Sequence, residues 1–283
     1  MSCEKFLTFG KVFNSLIKIA KKENFNNVET IRWIVVKVLR LKREQFNIIA
    51  RVSEFQFEKM KLALKRHIKG ETLSEIFGFV EFYGNFYKVT ENVFDPRLST
   101  EAMIDAVLNS DIKNKPNLKV VDLCTGSGCI AITLSKLLNV QIDAIDVSQQ
   151  ALKVATENNY KIGGNVNFIE MDLNEDWNKS LKNKYDIIVS NPPYWDSSKI
   201  LINKEIVKNN PIIGFDGGEE GLHFIKHIIN NAPNYLNKKG QLFLEIDPEQ
   251  ENKIRKLLKE NFKDIRTYLD YRNIVRVISA SLK

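Results

Sequence analysis

Asn191-Pro192-Pro193-Tyr194 follows directly on Tyr185 to Ser190, a short run rich in β-branched residues. A run of that length and composition fits a strand buried on both faces of a parallel sheet. The two prolines cannot donate to a sheet ladder, so the strand must end at Asn191. The following proline also pushes Asn191 away from helical geometry towards extended backbone. An isolated Asn-Pro more often does no more than end a strand. In this setting the carboxamide oxygen of Asn191 and the carbonyl of Pro192 can each accept one N–H of a planar NH2 group. Such a nitrogen is a poor nucleophile because its lone pair is delocalised, and it must be held roughly 3–3.5 Å from the carbon it attacks. Proline removes a competing N–H and stiffens the backbone, and Tyr194 offers a flat face to stack on the planar group.

A second candidate corner lies upstream. Val120 to Leu123 is strand-like, Cys124-Thr125-Gly126-Ser127-Gly128 is a glycine-rich turn, and a helical pattern starts at Cys129. Gly126 and Gly128 permit a tight turn and close backbone approach, and the helix start behind them presents unpaired N–H groups. Gly126-x-Gly128-x-x-Ala131 by itself also satisfies a dinucleotide fingerprint. Three acids tip the balance. Asp122 lies inside the first strand, where it is expected to reach a cationic amino-acid moiety through the loop. Asp146 ends the second strand, where a carboxylate can accept both ribose hydroxyls. Asp172 ends the third, where it can bond an adenine amino group. Acids at three successive strand ends suit an adenosyl ligand carrying a sulfonium and an ammonium and no pyrophosphate, which is S-adenosylmethionine. That cofactor brings its own charge and leaving group, so the reaction requires no metal. His223 and His227 have i, i+4 spacing without the Glu of a zinc-protease helix, and read as surface or packing residues.

Both corners require a frame. After Pro116 the pattern alternates: strands at 118–123, 140–145, 166–169, 185–190 and 241–246, with helices at 129–138, 148–160, about 219–236 and 249–261, and a closing strand pair near 264–270 and 273–280. This rhythm predicts an α/β fold with a doubly wound, mostly parallel sheet. Ligands of such sheets bind beyond the carboxyl ends of the strands, where both corners fall. Ahead of it, apolar residues recur at helical spacing from Phe6 to Gly70, with a break at Asn24 to Asn27. Ser53 and Gln56 have capping-box spacing and Gly70 stands where a helix-ending glycine belongs, which predicts a helix over about 54–69. Phe79 to Val89 reads as a β-hairpin turning at Gly84-Asn85. The expected organisation is a helical domain over 1–75, a hairpin linker over 76–95 and a catalytic domain over 96–283.

The chain has 283 residues and a formal charge of +7. Residues 1–90 carry 17 basic and nine acidic side chains, a net +8 against −1 for the remainder. A basic face of that kind meets RNA, DNA or an acidic protein, or is simply a solvated lysine-rich surface. Cys3, Cys124 and Cys129 make no disulfide framework and no paired metal spacing, so a reducing, cytoplasmic location is expected. The N-terminal apolar pattern is broken by Lys11, Lys18, Lys21 and Lys22, and no signal peptide or membrane span is expected.

With the glycine loop and Asn191-Pro192-Pro193-Tyr194 in one sheet, the chain resembles class I methyltransferases that act on planar conjugated NH2 groups, and the resemblance implies a seven-stranded sheet. Gly70, Phe77-Gly78, Glu81-Phe82-Tyr83-Gly84, Phe86, Val89, Asp122-Leu123-x-Thr125-Gly126-Ser127-Gly128, Asp146, Ser190 to Tyr194, Asp216-Gly217-Gly218-x-x-Gly221-Leu222 and Gly240 resemble, more narrowly, the HemK/PrmC-like release-factor glutamine methyltransferases. That resemblance implies methylation of the glutamine in the Gly-Gly-Gln loop of class I release factors, with the helical domain recruiting the substrate. It carries the acceptor role to Asn191, Pro192, Pro193 and Tyr194, and the cofactor role to Asp122, Cys124 to Gly128, Asp146, Asp172, Leu173 and Asn191. A monomer is expected, with no membrane partner; nucleic acid is not required and stays open as a partner.

The chain departs from the family pattern at three places. Asp95-Pro96-Arg97-Leu98-Ser99-Thr100-Glu101 lacks the second proline and the acid after it; Leu173 stands where an aromatic is common; Asp247-Pro248 replaces a glycine after the acid of the fifth strand. The alternatives are an adenine-specific DNA or RNA methyltransferase and a ribosomal-protein glutamine methyltransferase. The first flips its base and usually carries a sizeable reading domain, for which the residues after Tyr194 leave little room. A non-catalytic binding module is disfavoured by the intact glycine loop and Asn191.

Overall fold

Local signals start the first helices in a computed structural model that describes residues 5–41, 43–181, 183–202 and 211–283. Cys3 lies outside the described residues. The Ser53 hydroxyl accepts the Gln56 amide and the Gln56 side chain accepts the Ser53 amide, a complete capping box opening α3 (Glu54–Ile68). It offsets two of the orphan donors of that helix start. Asn27 caps α2 (Val28–Leu39) by accepting from Thr30, and α1 (Phe9–Lys22) ends just before the asparagine break. Val12, Leu16, Ile31, Ile34, Met60 and Leu64 close the core of these three helices. One feature differs from the all-helical expectation: β1 (Phe6–Thr8) pairs antiparallel with β2 (Arg51–Ser53). Strands of three residues are too short to show an alternating pattern.

The chain divides into two compact units, Met1–Gly78 and Phe79–Lys283. α4 (Leu73–Phe77) closes the first on a second capping box, Thr72 with Glu75. The hairpin opens the second unit, with β3 (Phe79–Phe82) against β4 (Asn85–Lys88). Its turn falls one residue earlier than the Gly84-Asn85 reading. Tyr83 and Gly84 have φ of 47° and 72°, the two successive positive values of a type I′ turn. Tyr83 tolerates this because its amide donates to Glu101 at 2.7 Å and its hydroxyl to Asp105 at 3.1 Å. Phe82 and Tyr87 are fully buried among residues of this second unit, so the hairpin is part of its core.

The remaining elements build one seven-stranded sheet. In chain order they are α5 (Glu101–Leu108), β5 (Val120–Leu123), α6 (Cys129–Leu138), β6 (Ile142–Asp146), α7 (Gln149–Ile162), β7 (Val166–Glu170), β8 (Tyr185–Ser190), α8 (Ser197–Ile202), α9 (His223–Tyr235), β9 (Leu236–Glu245), α10 (Glu251–Leu258), β10 (Phe262–Leu269) and β11 (Val275–Leu282). The spatial order is β10-β11-β9-β8-β5-β6-β7, parallel from β9 to β7, with β11 antiparallel to both its neighbours. Every residue of β5 and β8 is buried. Apolar helix faces cover both sides of the sheet, with Ile225, Ile228 and Ile254 on one and Met103, Ile130 and Leu134 on the other. β9 begins five residues before the sequence expectation: Leu236 pairs with Tyr185, the register then shifts at a bulge, and regular pairing resumes from Gln241. Polar Asn237 to Gly240 in that bulge conceal the early start. Among the described residues no helix is long and apolar enough to cross a membrane.

Candidate active site at the switch point of the sheet

β5 lies inside the sheet, and the chain winds outward through β6 and β7 before crossing back to β8 on the other side of β5. The crevice beyond the ends of β5 and β8 is therefore the topological switch point, where open α/β sheets bind ligands. The glycine loop leaves β5 there and Asn191 leaves β8 there. A cleft runs between them, walled by Cys124 to Ser127, Asp146, Asp172, Leu173, Asn191, Pro193 and Tyr194. Gly128, Pro192 and Asp122 are the sequence-selected residues that do not line it.

The glycine loop is fixed by backbone bonds. Thr125 N–H donates to the Ile145 carbonyl at 2.8 Å, and Gly128 N–H to the Thr125 carbonyl at 2.9 Å. Gly126 lines the cleft at φ +54°, and where a Cβ would stand there is open space. Gly128 caps α6 at φ +79°, and a Cβ there would meet the Ile132 side chain at 2.8 Å. The first glycine keeps the cleft open and the second lets α6 close on the sheet.

Asp122 takes a different place from the one expected. It is fully buried beneath the loop, where Oδ2 accepts the Thr125 hydroxyl at 2.7 Å and Oδ1 has no hydrogen-bond partner. Burial pushes its carboxyl up to about 7, with the Thr125 hydroxyl pulling the other way. It holds the loop from below and does not stand on the cleft wall. Asp146 does line the cleft. Its Oδ2 accepts the Gly126 amide at 2.8 Å and its Oδ1 the Ser148 amide at 2.9 Å, and burial raises its carboxyl above the ordinary value. The Val147 amide also acts on this carboxylate, which still keeps acceptor capacity for a further donor. Asp172 lies two residues beyond the end of β7, with Oδ1 accepting the Asn174 amide at 2.9 Å, so its other oxygen has no part in that turn. Buried Leu173 adds an apolar wall. These groups fit an adenosyl ligand: carboxylates with spare acceptors, an open glycine backbone and apolar surface for a purine.

At the opposite end, Asn191 Nδ2 meets the Thr100 hydroxyl at 3.5 Å, and the Tyr194 hydroxyl donates to Glu245 Oε1 at 3.2 Å. The backbone of this loop is held in a mould. Trp195 N–H donates to the Phe215 carbonyl and Gly217 N–H to the Trp195 carbonyl, both at 2.9 Å. A Cβ on Gly217 would stand 2.7 Å from the Pro193 carbonyl oxygen, and one on Gly221 2.0 Å from that of Tyr194. Gln250 Nε2 donates to the carbonyls of Tyr194 and Glu220 at 2.9 Å each. Gly217 and Gly221 thus let two backbones touch.

Sequence reasoning passed over Thr100, Glu245, Gln250 and Phe224, of which Thr100 and Phe224 also line the cleft. Thr100 stands within the quoted segment Asp95 to Glu101 and Glu245 is the acid that ends the fifth parallel-sheet strand, β9, but nothing local assigns them work. His223 Nε2 pairs with Asn174 Oδ1 at 2.8 Å and His227 packs beside Trp177 with 6.0 Å between ring centroids, the surface and packing roles expected of them. Among the described residues no group of three or more His, Cys, Asp or Glu is gathered to hold a metal ion.

The sheet order and glycine-loop cleft define a class I methyltransferase. A methyltransferase from Pyrococcus furiosus superposes with a TM-score of 0.52 over 77% of this chain and 96% of its own, at 14% identity, which speaks for the fold alone. Residues 100–219 match the family model described as methyltransferase small domain. The release factor glutamine methyltransferase of Thermodesulfovibrio yellowstonii is 33% identical over 95% of this chain and 97% of its own length. That of Bacillus cereus is 31% identical over 85% and 87%. The chain belongs to the release factor glutamine methyltransferase family.

Proposed function

We propose that this enzyme transfers the methyl group of S-adenosylmethionine to the side-chain amide nitrogen of the glutamine in the Gly-Gly-Gln loop of class I release factors. The observation that carries the reading is the placement of Asn191 and Tyr194 at one end of a cleft whose other walls are the glycine loop and two carboxylates. When bound, S-adenosylmethionine supplies an electrophilic methyl and its own leaving group. The work of the chain is to bind and orient. Asp146 accepts the ribose hydroxyls, Asp172 and Leu173 hold the adenine, and Cys124 to Ser127 lie along the remainder, with Gly128 and Asp122 fixing the loop. Asn191 Oδ1 and the Pro192 carbonyl accept the two N–H bonds of the glutamine amide, aiming nitrogen electron density at the methyl. Pro193 stiffens the loop, and the Tyr194 ring lies against the planar amide.

The basic unit over Met1–Gly78 is proposed to recruit the release-factor body, with the catalytic unit acting as a monomer in the cytoplasm. The test is transfer of label from S-adenosylmethionine to a purified class I release factor and to the same factor with its Gly-Gly-Gln glutamine replaced. Label on the first alone is expected. Label on DNA, ribosomal RNA or a ribosomal protein with none on the release factor overturns the reading.

A further inference from the structure

Asn191 is useful only if its amide faces one way, because its oxygen accepts an N–H where its nitrogen would repel one. Nothing in the loop itself fixes that choice. Two polar side chains beside the loop are almost wholly out of water, Thr100, which borders the cleft, at 1% and Glu245 at 0% exposure. Thr100 comes from the turn before α5 and Glu245 from the end of β9. A buried polar group without a partner costs on the order of 1–3 kcal/mol, so a pair kept in this position calls for an explanation.

We propose that Glu245 is a positioning residue that sets the orientation of the Asn191 amide through the Thr100 hydroxyl and anchors the Tyr194 ring directly. The proposal rests on the reading of Asn191 as the acceptor clamp. Thr100 has a single O–H to donate. The Thr100 hydroxyl acts on Glu245 as a hydrogen-bond donor, opposing the effect of burial on that carboxyl. With its proton so committed, Oγ1 is left as an acceptor, which faces the NH2 end of Asn191. The Asn191 nitrogen lies on that side, 3.5 Å from Thr100 Oγ1. Its oxygen then points away, to where a substrate N–H is received. Glu245 Oε1 also accepts the Tyr194 hydroxyl at 3.2 Å, so one carboxylate registers both ends of the tetrapeptide.

The relay depends on charge. Burial pushes Glu245 up to about 7, opposed by the Thr100 hydroxyl, the Arg276 guanidinium of β11, Tyr194 and the Arg97 charge ahead of α5. Cys129 at the start of α6 also faces it, and burial pushes that thiol up to about 12, so it stays neutral. Oε2 has no partner of its own, so a proton placed there makes the carboxyl a donor that competes for Thr100. The hydroxyl is then free to donate to Asn191, and the amide loses its fixed orientation.

The experiment uses the full chain and the Thr100→Val, Thr100→Ser and Glu245→Gln variants, with labelled S-adenosylmethionine, a purified release factor and calorimetric binding of S-adenosylhomocysteine. Thr100→Val and Glu245→Gln are expected to lower kcat by about tenfold or more, with acceptor KM and cofactor affinity changed by less than about threefold. Thr100→Ser keeps the hydroxyl and is expected to retain most of kcat. The wild-type kcat is expected to rise with pH through the Glu245 titration, and Glu245→Gln to lose that limb. In parallel, the Asn191 side-chain NH2 signals of protein labelled with 15N-asparagine are expected to shift over the same pH range in wild type and not in Glu245→Gln. Wild-type kcat in Thr100→Val, or Asn191 signals indifferent to pH in the wild type, overturns the relay. If the wild type labels no release factor, the functional reading falls, while the spectra of the wild type alone still decide the relay.

Discussion

At the scale of single residues the site separates two jobs. Asn191 and Asp146 line the same cleft from different strands, and each is tied down by different neighbours. Asn191→Ala is expected to cut kcat by about a hundredfold or more with little change in S-adenosylhomocysteine affinity by calorimetry. Asp146→Ala removes the acceptor of the Gly126 amide together with the proposed ribose contact. It is expected to weaken cofactor binding by about tenfold to a hundredfold in the same measurement, each tenfold corresponding to about 1.4 kcal/mol. Asp122 makes a prediction about stability. Its folded value of about 7 lies above the ordinary 3.8, so the folded chain holds that proton more tightly than the unfolded one. The stabilisation is fully present below the ordinary value and is lost as pH rises towards the folded one. Urea midpoints should therefore show a downward contribution between roughly pH 4 and 7 that Asp122→Asn removes, while a slope unchanged in that variant would assign the titration elsewhere.

At the scale of elements, the glycine-rich loop over Asp216 to Leu222 matters because it lies directly against the backbone of Pro193 and Tyr194, the proposed acceptor loop. A methyl at Gly221 would stand 2.0 Å from the Tyr194 carbonyl oxygen, on backbone at φ +67°, so no side-chain adjustment relieves it. Gly221→Ala is expected to lose about 2 kcal/mol or more of stability and most of kcat, read by urea denaturation and by label transfer. Gly126→Ala has open space for its methyl but the same backbone penalty at φ +54°, and that methyl would stand in the cofactor cleft. Cofactor affinity is expected to fall more than stability. Gln250 shows how far such positioning reaches: it belongs to the capping box that Asp247-Pro248 opens, and its amide still holds the Tyr194 and Glu220 carbonyls. The departure from family pattern at Asp247-Pro248 thus leaves the mould of the acceptor loop in place.

At the scale of the whole molecule, the two units differ in charge as well as in fold. The catalytic unit carries both main apolar clusters and the entire cleft. A fragment of residues 79–283 is expected to fold and bind S-adenosylhomocysteine, yet to methylate an intact release factor far more slowly than the full chain does. Equal rates on the intact factor would remove the recruiting role from Met1–Gly78. If the basic unit meets an acidic protein face, raising salt from about 0.05 to 0.3 M should raise the acceptor KM of the full chain by several fold and leave that of the fragment unchanged.

Much of this was legible along the chain because its causes are local. Capping pairs such as Ser53 with Gln56 act within one turn, the β-branched run before Asn191 marks its own burial, and two prolines stop a strand wherever it lies. The alternation after Pro116 fixed the fold class, and the glycine loop with Asn191 to Tyr194 named the chemistry. The hairpin turn was misplaced by one residue because Tyr83 reaches positive φ only with Glu101 and Asp105 to hold it. Asp122 was assigned to the ligand because nothing in the order of residues says that Thr125 folds back over it. Only the tertiary structure brought Thr100 to Asn191 across 91 residues and Tyr194 to Glu245 across 51. The second partnership is set by the strand order, in which β8 lies between β5 and β9, and no spacing along a chain encodes which strands become neighbours.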